Sequence, residues 1–384
     1  YLGTARDSDP VGSESPICLN LPFLTQHFTP NVRIVSANIC RLAMNFLKSK
    51  CYNEDKFNLG CLKKQAGREN DMNFVLQIVF LALGFFLLVK GADWFVDGAS
   101  GLARKLGIPQ LVIGLTIVAM GTSLPECAVS VTASLSGNNA LAVSNVIGSN
   151  IFNLLVVCGF CALFTPLAVQ KDTIKRDIPF SLICTFVMLI LGWIGMSLGH
   201  LDGVIFLVIF AGFIIMMVRS ALNARSEAQD GDEIEVLPVW KCIVFIIGGA
   251  IAIKYGGDFV VDGASFIASA MGLSQNLIGL TIVALGTSLP ELVTSIVAAK
   301  KNEVDMALGN AVGSNVFNIL MVLGIASAIS PITIIRENII DLCVLMVFTV
   351  CVWIFAATKK RIGKVEGFCM IALYAAYAVY IIIR

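Results

Sequence analysis

At 384 residues the chain is 57% hydrophobic and only 14% charged, with a mean hydropathy of +0.85. That composition excludes an ordinary soluble globular domain. The 27 basic and 26 acidic residues nearly cancel, which argues against nucleic acid as a partner because steering by the whole-molecule field needs an excess of one sign.

Residues 1–71 differ from the rest of the chain. They carry nine Lys/Arg and four Cys and hold no apolar run long enough to cross a bilayer. They also lack the 7 to 15 residue apolar core of a secretory signal. Residues 33–50 have the makings of a surface amphipathic helix, with Ile34, Leu42, Met44, Phe46 and Leu47 as its apolar side chains. The expectation is a poorly ordered extension without assigned function, and Met72-Asn73-Phe74, leading straight into an apolar helix, reads as a natural start.

From Met72 to Ile383 apolar stretches alternate with short polar gaps. At roughly 20 residues per transmembrane helix the spacing predicts ten spans, near 73–99, 110–134, 140–164, 178–198, 201–221, 239–266, 275–299, 304–329, 338–357 and 365–383. The fold class is thus an all-α polytopic membrane protein. The twelve cysteines are scattered, mostly within apolar segments, where Cys behaves as a small hydrophobe. Cys158 and Cys161 form a C-x-x-C, but with no second pair and no neighbouring His they make no zinc site.

The chain repeats itself. Residues 91–126, GADWFVDGASGLARKLGIPQLVIGLTIVAMGTSLPE, align with 256–291, GGDFVVDGASFIASAMGLSQNLIGLTIVALGTSLPE, at a constant offset of 165, with 23 of 36 positions identical. The same offset carries Asn145–Asn153 (NVIGSNIFN) onto Asn310–Asn318 (NAVGSNVFN). The first repeat occupies 72–225, an acidic linker 226–238, and the second repeat 239–384. Each repeat holds five spans, an odd number, so the halves enter the membrane in opposite senses, an architecture found in secondary transporters. The charges agree. With the start of the first span outside, the loops assigned to the cytoplasm hold fourteen basic residues, among them Arg104, Lys105, Lys300 and Lys301, against Arg336 and Arg384 outside, as the positive-inside rule requires. Arg104 and Lys105 become Ser269 and Ala270 in the second repeat, while Leu135 and Ser136 become Lys300 and Lys301, so the basic residues change ends. The expectation is a cell-membrane protein, N-out and C-out.

Both repeats place GTSLPE in mid-span, at 121–126 and 286–291. A carboxylate at that depth is costly and marks an ion or proton pathway, so Glu126 and Glu291 are the prime candidates. Pro125 and Pro290 lack an N–H, which deprives the carbonyls of Gly121 and Gly286 of their helical donors and predicts a kink. Thr122, Ser123, Thr287 and Ser288 add hydroxyls. Asn145, Ser149 and Asn153 lie four apart and form a polar stripe on one helix face, repeated by Asn310, Ser314 and Asn318. Such residues serve either as ligands or as interhelical glue. Two carboxylates among neutral oxygens suit a hard cation such as calcium, which takes 6 to 8 oxygen ligands, and sodium accepts the same ligand type. Asp93 and Asp97, repeated as Asp258 and Asp262, are like charges at i, i+4; they read as solvated, with a cation-attracting vestibule as the alternative.

With paired GTSLPE and GSNxFN motifs in ten spans, residues 72–384 resemble the calcium/cation antiporter superfamily, specifically the prokaryotic sodium/calcium exchangers. The resemblance implies that Glu126 and Glu291 bind calcium and sodium in turn, and that Thr122, Ser123, Thr287, Ser288 and the carbonyls of Ala119 and Ala284 complete the ion sites. By the same resemblance Ser149 and Ser314 match sodium ligands, Asn153 and Asn318 line the centre, and the first and sixth spans slide to alternate access. Transported calcium and sodium are then the only ions needed, with no cofactor. Many relatives carry Asp where this chain has Asn318, which implies exchange without a potassium requirement. Cation/proton exchange is the nearest rival. A channel lacks a filter-like carbonyl run. An intramembrane serine hydrolase, the enzyme alternative, finds His27 and His200 distant in sequence from Ser123 and Ser149, and no GxSxG elbow.

Overall fold

A computed structural model of the chain describes residues 59–136, 139–227, 237–272, 282 and 284–383. Its helices, in chain order, are α1 (Leu59–Leu106), α2 in two arms (Gln110–Thr122 and Leu124–Leu135), α3 (Leu141–Phe164), α4 (Ile178–Trp193) and α5 (His200–Glu227). The second half supplies α6 (Val239–Ala270), α7 in two arms (Ala284–Gly286 and Leu289–Lys300), α8 (Val304–Ile329), α9 (Arg336–Lys359) and α10 (Lys364–Ile383). Among the described residues seven of these are long and apolar enough to cross a membrane unaided, or eight with the bent α2. The other two are α4, which a π-helical turn at Thr173–Asp177 extends at its start, and the broken α7. Helix is therefore described in each of the ten expected segments, the first part of the seventh lying outside the described residues.

Several boundaries differ from expectation: α1 and α5 run on to Leu106 and Glu227, past the expected ends at 99 and 221, and two further differences have a local cause. Helix α1 begins at Leu59 rather than near residue 73; residues 59–71 contain no proline and several good helix formers (Leu, Lys, Gln, Arg), so nothing local stops the helix. Helix α4 ends at Trp193, because Ser197–Leu198 is drawn into a strand. The surface helix expected at 33–50 lies outside the described residues, as does most of the acidic linker.

The fold is not purely helical. Four two-residue strands, β1 (Leu167–Ala168), β2 (Ser197–Leu198), β3 (Ile332–Thr333) and β4 (Arg361–Ile362), pair antiparallel as β1 with β4 and β2 with β3. They tie interhelical connections of one repeat to those of the other. β3 lies at the repeat offset from β1, and the two pairs exchange under the pseudo-two-fold that relates the halves. The π-helical turns Asn153–Val157 and Asn318–Val322 also obey the offset. Residues 66–384 form one unit in which the repeats interlock.

Helices α3 and α8 form the centre, with 83% and 78% of their most apolar stretch buried, whereas α1 and α6 are peripheral at 17% and 28%. The two peripheral helices cross on glycines. A Cβ at Gly256 would lie 2.7 Å from the Leu88 nitrogen and 2.8 Å from the Gly84 carbonyl, and one at Gly249 would lie 2.7 Å from the Gly91 carbonyl. Gly84 and Gly91 are the repeat equivalents of Gly249 and Gly256, so the crossing is itself two-fold. In lipid, where helices gain nothing from the hydrophobic effect by pairing, such backbone approach supplies the attraction.

Substituting Gly256→Val should disrupt this crossing at a cost of about 1–3 kcal/mol, the usual range for overpacking, and lower the melting temperature in detergent. Gly248→Ala, whose Cβ meets nothing within 4 Å, serves as the control; equal melting of the two variants would contradict the packing argument.

Candidate cation site

The expected kink occurs where the sequence places it. Ser123 leaves helical geometry at φ −85° and ψ 8°, Ser288 at φ −95° and ψ 5°, and the arms of α2 diverge by 49°. Proline in the first turn of each following arm is compatible with a helix start, because that N–H would be unsatisfied anyway. Each central glutamate thus sits in the first turn of a helix, where the dipole favours negative charge, and both Glu126 and Glu291 are 0% exposed. The glycine of each motif lets a peripheral helix lie against the break: Phe95 of α1 packs on Gly121 and Val261 of α6 on Gly286.

The two motifs interlock rather than standing side by side. Ser123 Oγ donates to Glu291 Oε1 at 2.8 Å, and Ser288 Oγ donates to Glu126 Oε1 at 3.2 Å. Each repeat's hydroxyl therefore holds the other repeat's carboxylate. The second oxygens, Glu126 Oε2 and Glu291 Oε2, are buried and accept no hydrogen bond. The hydroxyls of Ser149 and Ser314 approach Glu126 and Glu291 respectively, and neither closes a full hydrogen bond. Thr287 Oγ1, Asn153 Oδ1 and Asn318 Oδ1 are likewise buried and unpartnered. Buried oxygens without donors are rare in folded proteins because each costs about 1–3 kcal/mol; a concentration of them around two carboxylates is what a cation-binding cavity requires.

The remaining expected residues play different parts. Ala119 contributes a carbonyl that already accepts the Ser123 amide at 3.0 Å, so only its second lone pair is available to an ion. Ala284 opens the first arm of α7. Thr122 Oγ1 donates to Asn310 Oδ1 at 3.1 Å and also lies 3.2 Å from the Val118 carbonyl. Of the polar stripes, Asn145 and Asn310 act as structural clamps: Asn145 Nδ2 reaches Ser130 Oγ at 3.0 Å and the Glu126 carbonyl at 3.5 Å, and Asn310 Nδ2 reaches Ser295 Oγ at 2.9 Å and the Glu291 carbonyl at 3.4 Å. Hydrogen-bonded clamps and unpartnered side chains thus both occur along one stripe.

Sequence reasoning passed over the asparagine that comes after the serine in each second motif. Asn150 Nδ2 donates to the Asn315 carbonyl at 3.2 Å and Asn315 Nδ2 to the Asn150 carbonyl at 3.1 Å, a reciprocal clasp between α3 and α8 on the pseudo-two-fold. Asn318 Nδ2 donates to Asn150 Oδ1 at 3.1 Å, which leaves its Oδ1 as the free end. The identical placement of Asn150 and Asn315 within a repeated motif was the available signal. Asp93 and Asp97 are not simply solvated: Lys301 Nζ lies 2.6 Å from Asp93 Oδ1 and 2.7 Å from Asp97 Oδ1, which relieves their mutual repulsion.

The Sodium/calcium exchanger protein family model matches residues 76–219 and 241–383. The chain belongs to that family. It is 36% identical to the inner membrane protein YrbG of Escherichia coli over 296 residues, covering 73% of the chain and 89% of that protein. It is 31% identical to the sodium/calcium exchanger MaX1 of Methanosarcina acetivorans, covering 79% and 98%. Crystals of the sodium-calcium exchanger NCX_Mj soaked with sodium and no calcium contain a chain that superposes with a TM-score of 0.70 at 34% identity, covering 79% of this chain and 98% of that one. This is a family of transporters, and the ten-helix inverted repeat is its fold.

Asn150→Ala removes both the acceptor of Asn318 Nδ2 and the donor to the Asn315 carbonyl. Asn318 Nδ2 is then buried without a partner, at a cost of about 1–3 kcal/mol, while the Asn315 carbonyl keeps the backbone amide of Asn318, so the detergent-solubilised variant should melt a few degrees below the parent in a thermal scan. An unchanged melting temperature would remove the clasp from the account.

Proposed function

We propose that the chain exchanges sodium for calcium by alternating access, at one site shared between the repeats, with no requirement for potassium. The observation that supports this reading is the crossed Ser123–Glu291 and Ser288–Glu126 pairing, which leaves one free oxygen on each carboxylate. Glu126 and Glu291 neutralise one calcium ion. Ser149, Ser314, Thr287, Asn153 and Asn318 offer neutral oxygens, and the carbonyls of Ala119 and Ala284, with Thr122, Ser123 and Ser288, complete the first coordination layer as the geometry of each bound state requires. Calcium prefers 6 to 8 such oxygens, and the same donors suit several sodium ions in turn. Competition for one ligand set makes sodium and calcium alternate rather than bind together, and if three sodium ions replace one calcium the cycle moves net charge.

Asn318 brings no charge to the centre, which supports potassium-independent exchange because no third carboxylate needs a further cation. The solved relative NCX_Mj was studied with sodium, calcium and strontium, which favours sodium over the proton as the counter-ion. The basic residues of the loops favour a cell-membrane protein with both ends of its ten-span core outside.

The test is calcium uptake into proteoliposomes loaded with sodium in potassium-free buffer. Uptake should follow the sodium gradient, be indifferent to added potassium and to an imposed pH gradient, and fall at least a hundredfold in Glu126→Gln and in Glu291→Gln while both variants remain inserted. Uptake that tracks the pH gradient instead, or that needs potassium, would overturn the assignment.

A further inference from the structure

The pseudo-two-fold predicts that every contact made by one repeat has a counterpart in the other, and one set of contacts breaks this rule sharply. The turn between α7 and α8, residues 301–303, grips α1. Lys301 Nζ holds Asp93 Oδ1, the Asp93 carbonyl at 3.1 Å and Asp97 Oδ1. Glu303 accepts a hydrogen bond from Ser100 Oγ at 2.8 Å and pairs with Arg104. The four α1 residues fall at i, i+4, i+7 and i+11, one face of one helix. The turn itself is anchored: the Lys301 amide donates to the Val297 carbonyl at 3.0 Å, the Glu303 amide to the Ala298 carbonyl at 2.9 Å, and the Glu303 carbonyl accepts the first amide bond of α8, from Ala307, at 3.1 Å. Burial works against the Lys301 ammonium, yet its hydrogen bonds to Asp93 and Asp97 and their charge outweigh it and hold its pKa above the ordinary lysine value.

The equivalent place on α6 has the same acidic face, but the sequence does not supply the same charged partners. Asp258, Asp262 and Ser265 correspond to Asp93, Asp97 and Ser100, whereas Ser269 replaces Arg104 and the sequence at 136–138 is Ser-Gly-Asn where the other turn has Lys-Asn-Glu. Asp258 pairs within its own helix, with Lys254 at 2.5 Å, and Ser136 Oγ likewise turns back to the Thr132 carbonyl at 2.5 Å. Asp262 Oδ2 and Ser265 Oγ, whose counterparts are held by the turn, are buried without a partner.

We propose that Lys301 and Glu303 are positioning residues of the exchange cycle: they clamp α1 to the central bundle at the membrane face carrying the 301–303 turn, and must release it before the site opens to that face. The inference rests on the exchange reading. In an inverted-repeat carrier the two end states interchange the roles of the halves, so an ion-paired clamp on α1 whose charged residues have no counterparts in sequence opposite α6 stabilises one state only. The populations of the two states are therefore unequal, and the apparent affinity for calcium presented at the clamped face is reduced by the small fraction of molecules open there.

The test uses the full-length protein in vesicles of defined orientation. For Lys301→Gln/Glu303→Gln the half-saturating calcium concentration at the clamped face should fall about threefold or more as the competent fraction grows, while that at the opposite face stays level or rises. The charge-exchanged pair Arg104→Glu/Glu303→Arg, which preserves one arm of the clamp, should stay close to the parent. Equal shifts at both faces, or no shift at either, would overturn the proposal. Amide hydrogen exchange over residues 93–106 supplies a readout independent of the transported ion; it should rise at least threefold in the Gln double variant and not in the charge-exchanged one. If the parent shows no counter-ion-coupled calcium flux, the exchange reading fails and the hydrogen-exchange comparison alone decides whether the clamp exists, with equal protection in all three proteins refuting it.

Discussion

Two glutamates, Glu126 and Glu291, lie wholly buried in the middle of an apolar bundle, and the rest of the molecule is arranged around that constraint. An isolated carboxylate in such surroundings is expensive, and two close together also repel. The chain offsets part of the cost by starting a helix at each one and by crossing the serine hydroxyls between repeats. It leaves the remainder uncompensated as a set of free oxygens. Under the proposed function, a cation between them would turn desolvation and repulsion together into attraction, and the same arrangement that destabilises the empty centre would supply the affinity. The proline kinks, the glycines beneath Phe95 and Val261, and the Asn145 and Asn310 clamps all fix where those carboxylates stand.

Much of this was legible in the sequence because it is either local or repeated. The spans follow from apolar runs, the inversion from an odd count of spans and from basic residues that change ends, and the kinks from Pro125 and Pro290 lacking an N–H. What escaped was contact between residues far apart in the chain. Ser123 and Glu291 are separated by 168 positions, and nothing local to either GTSLPE motif reports the hydrogen bonds exchanged between them. Asn150 and Asn315 lay off the polar stripe that the four-residue spacing picks out, although their repetition was visible. Asp93 and Asp97 read as solvated because their partner, Lys301, belongs to the other repeat. The early start of α1 at Leu59 and the small strands near residues 167, 197, 332 and 361 depend on propensity and on pairing across repeats, which hydropathy does not report.

The departures from two-fold symmetry are as informative as the symmetry. Thr122 is hydrogen-bonded to Asn310 while Thr287 Oγ1 has no partner, and Asn318 is held by Asn150 while both polar atoms of Asn153 are unpartnered. Among the described residues these contacts are one-sided at the core, as are the ion pairs of the 301–303 turn. In the proposed exchange cycle, identical halves would give two states of equal energy; divergence at a few polar positions would make them unequal, because a contact made in one state only biases the equilibrium by its full differential free energy.

The central claim is that both glutamates belong to a single ion site. Calorimetric titration of the purified protein with calcium, in sodium-free buffer and again at increasing sodium, tests it most directly. The account predicts one calcium ion per chain, displaced competitively by sodium, and lost to the same extent in Glu126→Gln and Glu291→Gln. Two independent calcium ions per chain, or binding lost in one variant and retained in the other, would contradict it.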